Sequence, residues 1–176
     1  SKVQASSLIR PPRPPRKARS QRVAQDPQRW RGRRPPHAGQ APPPQASLAA
    51  RPGGTLTWTH ENGDRVIGEF VELVPSRRVV FTYGWDRADV EIPPGSTVVE
   101  IDLRPHDGGT ELHLVHRGLS DPMADAHGGG WTHYLGRLRD VAEGRDPGPD
   151  VLAAARVPAA ADLAAPQTRE TFPDPR

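Results

Sequence analysis

Val99, Ile101 and Leu103 alternate with Glu100, Asp102 and Arg104. An extended chain sends successive side chains to opposite faces, so this stretch separates apolar from charged groups only as a strand. A half-buried strand needs partners for its backbone edges, and the flanking sequence supplies them. Leu56, Trp58 and His60 alternate with Thr55, Thr57 and Thr59, and Glu61-Asn62-Gly63-Asp64 follows as a hairpin turn, because Asn-Gly tolerates the positive φ such turns require. Arg65 to Val74 reads as the returning strand, broken by Pro75-Ser76, and Arg78 to Trp85 as a third, rich in β-branched and aromatic residues. Asp86 to Ser96, containing Pro93-Pro94-Gly95, reads as a loop. After the alternating strand, His106-Asp107-Gly108-Gly109 turns the chain and Thr110 to Arg117 returns it.

Beyond Gly118 the period changes. His127, Trp131, Tyr134, Leu135, Leu138 and Val141 recur at spacings of three and four, one face of a helix. Ser120 or Asp121 is placed to cap its start, with Pro122 in the first turn, where a missing N–H is harmless. Gly144 and Pro147 are placed to end it. Gly128-Gly129-Gly130 lies inside this pattern, and each glycine costs a helix about 1 kcal/mol against alanine. Either the helix approaches a neighbour or ligand closely there, or it begins at Gly130.

The stretches outside this region differ in kind. Proline and glycine make up 39 of 176 residues and only 34% of the chain is hydrophobic, so a core forms only where apolar residues concentrate. Residues 1–50 hold 11 Lys/Arg against the single acid Asp26, together with ten prolines, whereas residues 51–176 carry 13 basic and 20 acidic residues. The net charge of +3 therefore hides a basic arm on an acidic remainder. Residues 1–50 read as a disordered Arg/Pro-rich arm with polyproline II tendency, residues 51–146 as the folded domain, and residues 147–176 as a flexible Ala/Pro-rich tail. There is no cysteine, which excludes disulfides, thiolate metal sites and cysteine nucleophiles. No apolar run reaches the length of a membrane span. The start, SKVQASSLIRPPRPPRK, has neither the apolar core of a secretory signal nor an initiator methionine, so a processed chain or a fragment, located in the cytoplasm, is expected.

Phe81-Thr82-Tyr83-Gly84-Trp85 followed by Pro93-Pro94-Gly95-Ser96-Thr97-Val98 resembles the middle of bacterial SRPBCC (START-like) proteins. The subgroup is the one similar to the C-terminal domain of the activator of the heat-shock-protein-90 ATPase. Gly109-Thr110, His116-Arg117-Gly118-Leu119, Gly130-Trp131 with Tyr134-Leu135 and Leu138, and the ending Glu143 to Pro149 extend the likeness over some 95 residues. The resemblance implies an α+β helix-grip fold: a curved antiparallel sheet gripped by a long C-terminal helix, with a ligand cavity between. It also implies apolar small-molecule binding, a co-chaperone-like role or cyclase chemistry. Complete members begin with a strand and two short helices, and residues 1–50 show neither, so the domain is expected to be N-terminally incomplete. The abrupt switch at Arg51-Pro52-Gly53-Gly54 fits an out-of-frame reading of a GC-rich gene upstream of it. A missing edge strand would leave the pocket open at one end and favour self-association.

Trp58, Phe70, Phe81, Tyr83, Trp85, Trp131, Tyr134 and Leu135 are candidate lining residues of such a cavity, with plain core packing as the competing reading for each aromatic. His116 shares a strand face with Leu112 and Leu114, and either meets a ligand as hydrogen-bond partner or acid/base group, or is satisfied by its neighbours. Metal binding is not expected: His113 and His116 face opposite ways on a strand, and His127 and His133 do not converge on a helix. No HExxH, nucleophile elbow or triad order occurs, and the glycines form no dinucleotide loop. A binding domain without cofactor is thus expected over an enzyme, whose acid/base candidates would be His116 and Tyr134. Possible partners are a hydrophobic small molecule, a chaperone or a second copy. Nucleic-acid binding by the arm, with Trp30 stacking on a base, is the weakest reading because charge and proline content carry little information.

Overall fold

The computed structural model describes residues 1–11, 45–153 and 155–164. Seven antiparallel strands form one sheet: β1 (Lys2–Ile9), β2 (Gln45–Leu48), β3 (Thr55–Thr59), β4 (Arg65–Val74), β5 (Arg78–Tyr83), β6 (Thr97–His106) and β7 (Gly109–Arg117). Helix α1 (Asp121–Ala142) follows, then the short α2 (Ala160–Ala164). The sheet order is β1-β7-β6-β5-β4-β3-β2. Each strand from β2 to β7 thus lies beside its sequence neighbour, and only β1 crosses to the far edge. This is the expected α+β helix-grip architecture.

The expectation of a missing first strand is corrected. Lys2–Ile9 pairs along its full length with β7, from Lys2 opposite Arg117 to Ile9 opposite Thr110. Val3 is buried, Ala5 and Ile9 pack against the core, and Ser7 on the same parity is also buried. The arm therefore contributes both edge strands, since Gln45–Leu48 pairs with β3 and sets Ala46 opposite Trp58. Whether short helices lie between these strands is a question for residues 12–44, which are outside the described residues, as is Trp30.

Turn chemistry works as the residues require. In the β3–β4 turn the His60 N–H bonds the Asp64 carbonyl at 2.8 Å while Gly63 takes φ +88°. At the β6–β7 turn Asp107 and Gly108 both adopt positive φ. Strand β4 shifts register between Phe70 and Glu72, a bulge that leaves Val71 about half exposed. Gly68 faces Thr82 so closely that a Cβ there would sit 1.8 Å from the Thr82 carbonyl oxygen, so only glycine fits.

Helix α1 runs unbroken through Gly128-Gly129-Gly130. Ser120 occupies the N-cap position, but its hydroxyl donates to Glu91 at 2.8 Å and caps nothing. At the other end the Gly144 N–H bonds the Val141 carbonyl and the Arg145 N–H bonds that of Asp140, with Gly144 at φ +78°. This is a Schellman closure. Met123, Ala124, His127 and Leu135 are buried against the sheet. Leu138 and Val141, which share their period, are 45% and 58% exposed.

The tail expected to be flexible returns over the domain. Arg137 donates to the carbonyls of Pro147, Gly148 and Pro149 at 3.1–3.2 Å. His133 bonds Asp150 at 2.7 Å, Asn62 donates to the Ala155 carbonyl at 2.9 Å, and Arg87 donates to that of Val157 at 3.1 Å. Arg87 is anchored by Asp64, whose side chain is only 7% exposed. Val157 and Leu163 pack against the core.

Candidate functional site

Inward parity brings Leu56, Trp58 and then His60 to the concave face from β3. Strand β5 delivers Phe81 and Tyr83, and Trp85 continues beyond the strand through a bridge to Val66. Helix α1 crosses above with His127, Trp131 and Tyr134. Between these elements and residues 150–158 lies a cavity of about 980 Å³. Trp58, Tyr83, Trp85, Trp131 and Tyr134 share its wall. Phe70, Phe81, Leu135 and His116 do not reach it. Phe70 and Phe81 pack edge to face, with ring centroids 6.4 Å apart, deep in the core, and Leu135 is buried against the sheet.

Each of the three tryptophans in the described residues spends its indole N–H on a histidine. Trp58 donates to His60 Nε2 at 3.0 Å, Trp85 to His127 Nε2 at 3.3 Å and Trp131 to His116 Nδ1 at 3.1 Å. An indole nitrogen only donates, so the facing imidazole nitrogen holds a lone pair and each ring is neutral. The second nitrogens agree. His127 Nδ1 lies 2.9 Å from the Met123 carbonyl and must donate to it. His116 Nε2 lies 2.8 Å from Thr97 Oγ1, whose own proton goes to the Tyr83 carbonyl at 2.8 Å. A directed relay therefore runs from Trp131 through His116 and Thr97 to the β5 backbone.

Burial holds all three histidines below their ordinary range. His116 is lowered to about 3, by desolvation first and then by its neighbour His127. His127 is lowered by burial against the opposing pull of the Met123 carbonyl, and His60 by burial against Asp64 and Asp150. Burial pushes the Tyr83 hydroxyl up, and Tyr134 is raised by burial and then by the charge of Asp150. His116 is fully buried, and both its nitrogens are committed to hydrogen bonds. Tyr134 stays at the cavity wall as a hydroxyl donor.

Residues not singled out by sequence also line the cavity, notably Glu61, Arg137, Asp150 and Leu152. The sequence marks His60 and His127 as members of periodic faces and weighs His127 with His133 for a metal, but pairs neither with an indole. His127 and His133 take different partners, Trp85 and Asp150. Among the described residues no group of three or more His, Cys, Asp or Glu is placed to hold a metal ion, and no helix is long and apolar enough to cross a membrane.

A curved antiparallel sheet closed by one long helix over an aromatic cavity defines the SRPBCC, START-like class. Residues 24–143 match the family described as Activator of Hsp90 ATPase homolog 1-like protein, and the chain belongs to that family. The solution structure of an AHSA1-like protein from Rhizobium etli is 34% identical, covers 90% of this chain and 91% of its own, and superposes with a TM-score of 0.51. A Chromobacterium violaceum protein is 23% identical over 85% of this chain and 98% of its own, TM-score 0.54. The Aha1 dimer of Colwellia psychrerythraea is 15% identical over 81% and 96%, TM-score 0.51. The latter two likenesses concern the fold alone. No curated protein matches the chain.

Proposed function

We propose that this domain binds an apolar small molecule in the cavity between sheet and helix, without transforming it. The observation that carries the reading is the 980 Å³ volume walled by Trp58, Tyr83, Trp85, Trp131 and Tyr134. It falls at the upper end of small-molecule sites, which are apolar with a few placed polar groups. Among the polar groups here are the Tyr83 and Tyr134 hydroxyls, His60, whose Nδ1 has no partner among the described residues, and the charged side chains of Glu61, Arg137, Asp150 and Arg156. Against an enzyme stands the commitment of both His116 nitrogens, which leaves the acid/base pair without a base.

Native mass spectrometry of the full chain tests this. A small molecule carried through purification by the wild type and lost from Trp58→Ala supports the reading. An empty wild type that also fails to take up apolar dyes overturns it. The family description supports a second reading, stimulation of an Hsp90 ATPase. A turnover assay of that ATPase with and without the chain separates the two, since a pure ligand carrier leaves the rate unchanged.

A further inference from the structure

Most hydrogen-bonding side chains of the aromatic cluster are spent inside the protein. The indole N–H groups of Trp58, Trp85 and Trp131 go to His60, His127 and His116. His116 and His127 have both nitrogens occupied, and Thr97 is committed to His116 and to the Tyr83 carbonyl. Two groups are left over, the Tyr83 hydroxyl and His60 Nδ1.

Both are donors beside the cavity. Tyr83 is only 4% exposed, and its hydroxyl has no partner among the described residues. No fully enclosed side-chain nitrogen or oxygen among those residues lacks a partner. The Tyr83 hydroxyl is therefore reached from open space, and the space that Tyr83 borders is the cavity. His60 lines the same cavity. Its Nε2 accepts from Trp58, so Nδ1 carries the proton of the neutral ring and donates.

Charge does not select the ligand. Among the described residues the wall sets Glu61 and Asp150 against Arg137 and Arg156, two groups of each sign. Arg137 holds the carbonyls of residues 147–149, and Asp150 holds His133.

A molecule that fills the cavity takes solvent away from the two leftover donors. A pure hydrocarbon leaves their protons unpaired, which weakens its binding. An uncharged oxygen with free lone pairs restores the bond without burying an ion. From the unspent Tyr83 and His60 protons we infer that the ligand is a neutral molecule with an apolar body and a carbonyl oxygen, held by the Tyr83 hydroxyl. This rests on the cavity being the binding site.

Benzophenone and diphenylmethane carry the same two rings and differ by a carbonyl in place of a methylene. An apolar wall alone favours diphenylmethane, since the carbonyl costs more to desolvate, so a preference for the ketone reports the hydrogen bond. Diphenylacetate puts a carboxylate on the same frame and tests for an anion held by an arginine. Binding of each to the full chain is followed through the indole N–H resonances of Trp58, Trp85 and Trp131. The bound ketone is also followed through a carbon-13 label on its carbonyl, which moves downfield when it accepts a hydrogen bond.

The expected result is tightest binding by benzophenone, a carbonyl resonance downfield of its position in cyclohexane, and a ketone affinity that falls roughly tenfold in Tyr83→Phe. Diphenylmethane binding as tightly as the ketone, diphenylacetate binding more tightly, or a ketone affinity unchanged in Tyr83→Phe overturns the inference and leaves the cavity reading intact. If Tyr83→Phe does not fold, the wild-type carbonyl decides, and a resonance at its cyclohexane position overturns the inference. If no probe shifts the indole resonances, both fall.

Discussion

Trp131 and His116, one from the helix and one from the central sheet, are joined by an indole N–H donated to an imidazole lone pair at 3.1 Å inside the domain. The bond ties the gripping helix to the sheet by direction as well as by packing. Trp131→Phe keeps most of the apolar surface but leaves His116 Nδ1 buried without a donor. The expected cost is about 1–3 kcal/mol, read as a shift in urea midpoint at pH 7.5.

The depressed histidines make stability depend on pH. In the unfolded chain each titrates near 6.5, while in the folded chain His60, His116 and His127 all lie lower. Between those values the unfolded state binds more protons, so acid favours unfolding. The histidine contribution is complete above about pH 6.5 and is lost as pH falls from there towards 3. Urea midpoints at pH 7.5, 6 and 5 should decline in that order. In Trp131→Phe, protonated His116 no longer faces an indole donor, so the decline should be shallower. A flat profile in the wild type would contradict this account.

Gly130 lies in mid-helix with nothing within 4 Å of where its Cβ would stand, and it borders the cavity. Gly130→Ala should therefore stabilise the protein by about 1 kcal/mol. Gly130→Leu should instead occupy the cavity and displace a bound molecule while the protein stays folded. Thermal melts and dye displacement measure the two effects separately.

Phe81 and Trp58 share a face but sit in different surroundings, one in the core and one on the cavity wall. Phe81→Ala should cost about 3–5 kcal/mol, and Trp58→Ala less, with its main effect on ligand retention. Equal destabilisation would place both in the core.

Alternation made the strands from Thr55 to Arg117 legible, and three-four spacing made the helix legible, because each period reports which face is buried. Period does not report depth along the sheet. Phe70 and Phe81 have the same inward parity as Trp58 and Tyr83, yet they fall where the sheet is filled. Strand β1 was hidden for a different reason. Val3, Ala5, Ser7 and Ile9 do alternate, but two of these are small, and the proline-rich sequence from Pro11 onward dominates the local composition. The indole–imidazole pairs Trp85–His127 and Trp131–His116 left no local trace either, since 42 and 15 residues separate their partners.

The returning segment after α1 could not be read from its own residues, because the groups that seat it belong to the body of the domain. Arg137→Ala should free it, and limited proteolysis should then cut between residues 147 and 158 faster than in the wild type.

What Arg137, Asn62 and Arg87 grasp on that segment is backbone oxygen. Carbonyls are the same whatever side chains the segment bears. Positions such as Leu152 and Ala153 on the cavity wall can therefore be exchanged without unseating the segment, and one face of the chamber is open to variation while the frame around it keeps its shape.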